Sequence, residues 1–200
     1  MPNKRGVTLA EILITLITVG IIAALTVPSL IQNVQDNINR SAWKTAYANF
    51  DQATKRIVID YGGSFKGIFE NNNDLGNKYK EYMTYTKTCL EGTSQGDCWH
   101  ASGVIKSYAN PNSVITTHWQ NGSSFMLNNG MLVYFFSVDK DCNNDDCGDI
   151  VIDVNGFKKP NRIGYDIFGI TIYTNKVKPW GDGNNCSSWG EGCSSYYLLH

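Results

Sequence analysis

The chain has 200 residues, with 17 Lys and Arg against 18 Asp and Glu, a formal net charge of -1 at pH 7. That balance, with no basic block, gives no support to a dedicated nucleic-acid-binding role, which needs a surface that neutralises phosphates. Hydrophobic residues make up 42% of the chain, which excludes a disordered polymer and allows one domain, or two, with a modest core.

The first element is apolar. "KRGVTLAEILITLITVGIIAAL" is followed by no charged residue until Asp36, and Ile12 to Ile31 supplies 20 mostly apolar positions. That is enough to cross a ~30 Å hydrocarbon core as a helix. Lys4 and Arg5 lie on the N-terminal side, so the N-terminus is expected in the cytoplasm and the rest of the chain across the membrane. A cleaved signal peptide has a shorter apolar stretch closed by a small-residue site, and "AALTVPSLIQN" runs on into a helical pattern instead. Glu11 is the anomaly, because a central carboxylate in hydrocarbon costs about 2.5–3.5 kcal/mol. It needs a partner.

"KRG", then "VTLAE", then the apolar helix resembles the N-termini of type IV pilins and type II secretion pseudopilins. The resemblance covers about the first 55 residues, and its motif is specific because leader, glycine, glutamate spacing and apolar run must coincide. It implies a leader over 1–6, cut between Gly6 and Val7 by a prepilin peptidase, and N-methylation of Val7. It also implies a transmembrane and assembly helix over 7–30 and an extracytoplasmic head over 31–200. Members of the family usually begin with phenylalanine where this chain has Val7. Glu11 becomes the fifth mature residue, which the family uses in assembly, and Pro28 falls where many members carry a helix kink. The implied partners are other pilins or pseudopilins, the peptidase, an inner-membrane assembly platform and, before assembly, membrane lipid.

Past Pro28, Ile31, Val34, Ile38, Ala42, Ala46, Phe50, Ala53 and Ile57 recur in steps of three and four. This is one stripe of an amphipathic helix, predicted to run to about Asp60 and to stop at Gly62 and Gly63. "ENNNDLGNKYKEYM" predicts a short helix near Tyr79 to Met83. "SSFMLNNGMLVYFFSV" reads as a hairpin turning at Asn129 and Gly130, with "DIVIDV" and "FGITIYT" as further strands. The expected fold class is α+β: a pilin-like long N-terminal helix whose amphipathic half packs on one apolar face of a small antiparallel meander.

Six cysteines fall as close neighbours, Cys89 with Cys98, Cys142 with Cys147 and Cys186 with Cys193. An exported domain lets them oxidise, although fifteen connectivities are open and neighbour pairing rests on spacing alone. For Cys186 and Cys193 the resemblance adds that pilins often carry a C-terminal disulfide loop. Zinc is the competing reading, but no C-x2-C occurs and His100, His118 and His200 lack ligand spacing.

Two acidic loops invite a Ca2+ reading. Asp139, Asp141, Asn143 and Asp145 alternate like the start of a calcium loop but lack its glycine and its closing glutamate. Asp153, Asn155, Asn161 and Asp166 offer oxygen ligands to a hard cation. Against this, Asp and Asn in turns bond their own backbone, and Lys158, Lys159 and Arg162 stand nearby. No other cofactor is expected. No nucleophile elbow, zinc-protease helix or phosphate-binding glycine loop occurs, so the chain is not read as an enzyme. Trp99, Trp180, Trp189 and "SSYYLLH" are either core or a binding face. Two functions follow: a filament subunit, or a monomeric membrane-anchored binding or adhesion domain.

Overall fold

The computed structural model describes residues 6, 8–115, 119, 122–187 and 189–200. The chain divides into two units, residues 1–38 and 39–200. Helix α1 (Leu9–Asp60) contributes to both. The other elements are α2 (Asn72–Lys80), β1 (Tyr85–Cys89), β2 (Ser123–Leu127), β3 (Leu132–Phe136), β4 (Asp146–Asp153), β5 (Ile167–Tyr173), β6 (Val177–Pro179) and α3 (Cys193–Leu199).

In the first unit, α1 is uncovered. Leu16, Leu25 and Leu30 are exposed, and so are Ile31, Val34 and Ile38 of the predicted stripe. The hydroxyls in this stretch are all turned inward: Thr15 donates to the Glu11 carbonyl at 2.7 Å, Thr18 to Ile14 and Thr15, Thr26 to Ile22, and Ser29 to Thr26. Side chains bonded back to their own helix leave no donor facing outward, the condition for a helix in lipid. Among the described residues this is the one helix long and apolar enough to cross a membrane.

In the second unit the buried side of α1 is Asn39, Trp43, Ala46, Phe50, Ala53, Thr54 and Ile57. The expected stripe therefore holds from Ala46 onward, while at the preceding turns Asn39 and Trp43 are fully enclosed and Ala42 is only partly covered. Trp43 stacks on Phe168 with ring centroids 4.9 Å apart and donates its indole N–H to the Ser194 carbonyl at 2.9 Å. The sheet has six antiparallel strands in sequence order. The β2–β3 hairpin turns over residues 128–130, where Gly130 takes φ 86° and its N–H reaches the Leu127 carbonyl. A left-handed residue closing a three-residue loop favours glycine there.

One expectation about the sheet needs correcting: both of its faces are buried. Val133, Phe135, Ile150, Ile152, Phe168 and Ile170 pack with the α1 residues, and on the other side Leu132, Tyr134, Val151 and Ile167 pack with Trp99, Ile105 and Trp119. The long connection from β1 to β2 supplies that second cover, which is why the central strands read as continuous apolar runs. A second correction concerns the short helix, which lies at Asn72–Lys80 rather than near Tyr79 to Met83. The Asn71 side chain caps it by accepting from Asp74 N–H at 3.0 Å. Its Gly76 stands close to Ser123 and Phe135, where a side chain would crowd the sheet.

Candidate functional site

In the first unit the chemistry collects at the helix start. Gly6 is exposed and lies outside any regular element, and the expected cleavage and methylation residue Val7 lies outside the described residues. Thr8 and Glu11 form a reciprocal cap: Thr8 N–H and hydroxyl donate to Glu11 Oε2 at 2.8 and 3.0 Å, and Glu11 N–H donates to the Thr8 hydroxyl at 3.3 Å. This is a capping box, which satisfies donors that a helix N-terminus otherwise leaves open. Its T-x-x-E signature was legible in "TLAE" and is the local signal that the pilin resemblance overshadowed. Glu11 Oε1 accepts no hydrogen bond among the described residues. Pro28 lies inside α1, where it removes one backbone donor.

In the second unit the three neighbour pairs of cysteines are joined: Cys89–Cys98, Cys142–Cys147 and Cys186–Cys193. Cys89, Asp97 and Cys98 also come together at ligand distance, but with both sulfurs in a disulfide they cannot serve as thiolate ligands. The first acidic loop is closed by Cys142–Cys147 and uses its carboxylates internally. Asp139 accepts from the N–H groups of Asp141 and Asn143, each at 3.0 Å, and Asp145 accepts from the Thr174 hydroxyl. These bonds match the turn reading rather than a calcium loop.

The second acidic loop brings all four predicted oxygen ligands into one region. Asp153 and Asp166 are both fully buried. Asp166 accepts from Asn161 N–H at 2.8 Å, Arg162 N–H at 2.6 Å and the Asn155 amide nitrogen at 3.1 Å. Asp153 accepts from Asn155 N–H at 3.0 Å and meets His100 Nε2 at 2.7 Å. His100, 53 positions away, is the member that sequence reasoning missed, since separation along the chain hides it. Burial pushes Asp153 up, and burial followed by the Asp153 charge pushes Asp166 up to about 6. Burial drives His100 down to about 4. Each shift reflects the cost of a charged form away from water.

Two features bear on a cation here. The side-chain oxygens of Asn155 and Asn161 are buried with no hydrogen-bond partner, and Asn161 as a whole is 5% exposed. The Arg162 guanidinium, expected to repel a cation, turns to the Ser107 carbonyl at 3.1 Å and lies over the ring of Tyr108. The donor set fits a hard cation in kind: two carboxylates and two amide oxygens. His118 lies outside the described residues, and His200 is exposed at the C-terminus beside Tyr196.

Comparison with family models, with curated proteins and with solved structures gives no match.

Proposed function

We propose that the chain is a structural subunit of a type IV pilus or type II secretion pseudopilus, stored in the membrane through α1 and polymerised through the same helix. The observation that carries this reading is Glu11. Capping the helix would serve any anchor and uses one carboxylate oxygen, while the other accepts no hydrogen bond from a described residue, which supports a second role in assembly. After cleavage behind Gly6, the new Val7 amine, cationic below its pKa of about 8, is the group expected to meet Glu11 of a neighbouring subunit. Residues 31–200 then form the extracytoplasmic head, in keeping with its three disulfides.

Intact-mass and N-terminal analysis of protein from its native membrane tests the processing. The expected product begins at Val7 and carries one added methyl group. A chain that still starts at Met1, or is cut after Ala24, counts against the proposal. The rival reading, a monomeric anchored binding domain, predicts no filaments in sheared material under electron microscopy.

Ca2+ in the second acidic loop is an additional proposal, supported by the unsatisfied Asn155 and Asn161 oxygens. Its ligands would come from Asp153, Asn155, Asn161 and Asp166. Thermal melts with Ca2+ and with chelator are expected to differ by several degrees in the full chain, and Asn161→Ala is expected to erase the difference. Equal melting temperatures in the wild type would remove the ion from the account.

A further inference from the structure

On the sheet face opposite α1, the second cover stops short of β6. A groove of about 1060 Å³ opens there, lined by Phe136, Asp149, Thr171 and Trp180 together with Trp189 and Glu191. Its floor is built with unusual constraint. The Trp180 indole lies flat over the backbone of Gly169: a Cβ on that glycine would stand 2.0 Å from the ring. The backbone N–H of Trp180 also donates to the Gly169 carbonyl at 3.0 Å. Phe136 meets the indole at 88° with centroids 6.2 Å apart, so the two half-buried rings form the walls of a corner.

Asp149 stands in this corner. Its Oδ1 accepts the Trp180 indole N–H at 2.9 Å and the Thr171 hydroxyl at 2.8 Å. Its Oδ2 accepts from no described residue, and the side chain is among those that line the groove. Holding Trp180 and Thr171 accounts for one oxygen and leaves the second without a partner among the described residues. The charge lining the groove is mostly negative. Asp146 and Glu191 both press on Asp149, and the single lysine among the described lining residues, Lys178, lies over the Tyr173 ring at 5.0 Å.

We propose that this corner binds a weakly hydrated organic cation, an alkylated ammonium or a guanidinium group. Ring faces attract such a cation through their quadrupoles, and a carboxylate fixed at the foot of the rings adds direct charge pairing. A weakly hydrated cation also loses little on entering a partly dry site. A neutral sugar would match the rings but would leave the converging carboxylates uncompensated. The site is independent of the filament reading, since every residue in it belongs to the second unit.

The test uses the full chain in a polyoxyethylene detergent, which carries neither choline nor sugar. The indole N–H resonance of Trp180, assigned by its loss in Trp180→Phe, is followed at fixed ionic strength with choline, agmatine, 3,3-dimethyl-1-butanol and maltose. A saturable shift is expected with choline or agmatine, and which of the two binds tighter identifies the ammonium or guanidinium source. Binding should weaken at least tenfold for 3,3-dimethyl-1-butanol, the uncharged shape of choline, and also in Asp149→Asn. That variant keeps an oxygen for Trp180 and Thr171, so the corner remains folded. The proposal is overturned by no response to either cation, by an equal response to the neutral isostere, by unchanged binding in Asp149→Asn, or by a response to maltose alone.

Discussion

Glu11 and Thr8 satisfy each other: one carboxylate oxygen holds both donors of Thr8, and the Thr8 hydroxyl holds the Glu11 N–H. The carboxylate that looked like an unexplained charge in an apolar run is thus a helix cap as well as a candidate for assembly. The two roles separate chemically, because glutamine can fill the same capping position without charge. On the filament reading, Glu11→Gln is therefore expected to keep α1 and membrane insertion intact while abolishing or sharply reducing sheared filaments, and Glu11→Ala is expected to reduce them as well. Glu11→Ala alone should also weaken the helix end, because it removes the acceptor of both Thr8 donors. Filaments of Glu11→Gln at wild-type yield would leave the carboxylate with its capping role only.

Gly169→Ala puts a methyl group where the Trp180 indole lies. Nothing on the opposite side of the strand can give way, since Phe168 and Ile170 are fully enclosed. The indole is expected to lift, releasing Asp149, with a loss of about 1–3 kcal/mol from overpacking. Thermal melts together with a red shift of tryptophan emission measure both effects.

The pH response of Asp149 has a definite sign. Burial, then the neighbouring Asp146 and Glu191 charges, raise its pKa above the unfolded value, while the bonds from Trp180 and Thr171 work against that rise. A raised carboxyl favours the folded state at pH below the unfolded value of about 3.9, and this contribution is lost as pH rises through the folded pKa. Asp149→Asn should therefore gain stability relative to the wild type as pH increases from about 4 to 7. Denaturant melts of both proteins at the two ends of that range check it; a constant difference would show that the carboxyl is not perturbed.

Cys186 and Cys193 close a loop of sequence separation 7 immediately before α3, with Cys193 fully buried against Gly164. Replacing both by serine is expected to cost about 2 kcal/mol, the chain-entropy value for so short a loop. Because Ser194 holds Trp43 and Gly169, loosening α3 should be felt in the core. Peptide mapping without reductant should recover this link and the other two.

Much of the fold was legible because its signals are local. The apolar run, the stripe at Ala46, Phe50, Ala53 and Ile57, and the Asn129–Gly130 turn are each contained in a few adjacent positions. What was not legible depends on distant partners. β1 reads as a polar segment, "YTKTC", and becomes a strand only because β2 offers it a ladder. α3 reads as an aromatic tail, and its serines become structural only where Trp43 and Gly169 meet them. His100 and Asp149 acquire their surroundings from strands and loops dozens of residues away, so no window on the sequence could display them. The residues Asp153, Asn155, Asn161 and Asp166 do lie in one region, but which of their oxygens would be filled by backbone N–H groups needed coordinates.

The two outer strands of the sheet are poor templates for another chain. β1 is exposed at four of its five positions and carries Lys87, tied to Asp97 beside the Cys89–Cys98 link. β6 has three residues and ends at Pro179, which has no N–H to offer. Short, charged or proline-ended borders are how natural sheets resist edge-to-edge aggregation. Crowding many copies at high local concentration should therefore not knit their sheets together. Each copy keeps its own hydrogen-bond ladder, and the sheet is protected against amyloid-like stacking by its borders rather than by dilution.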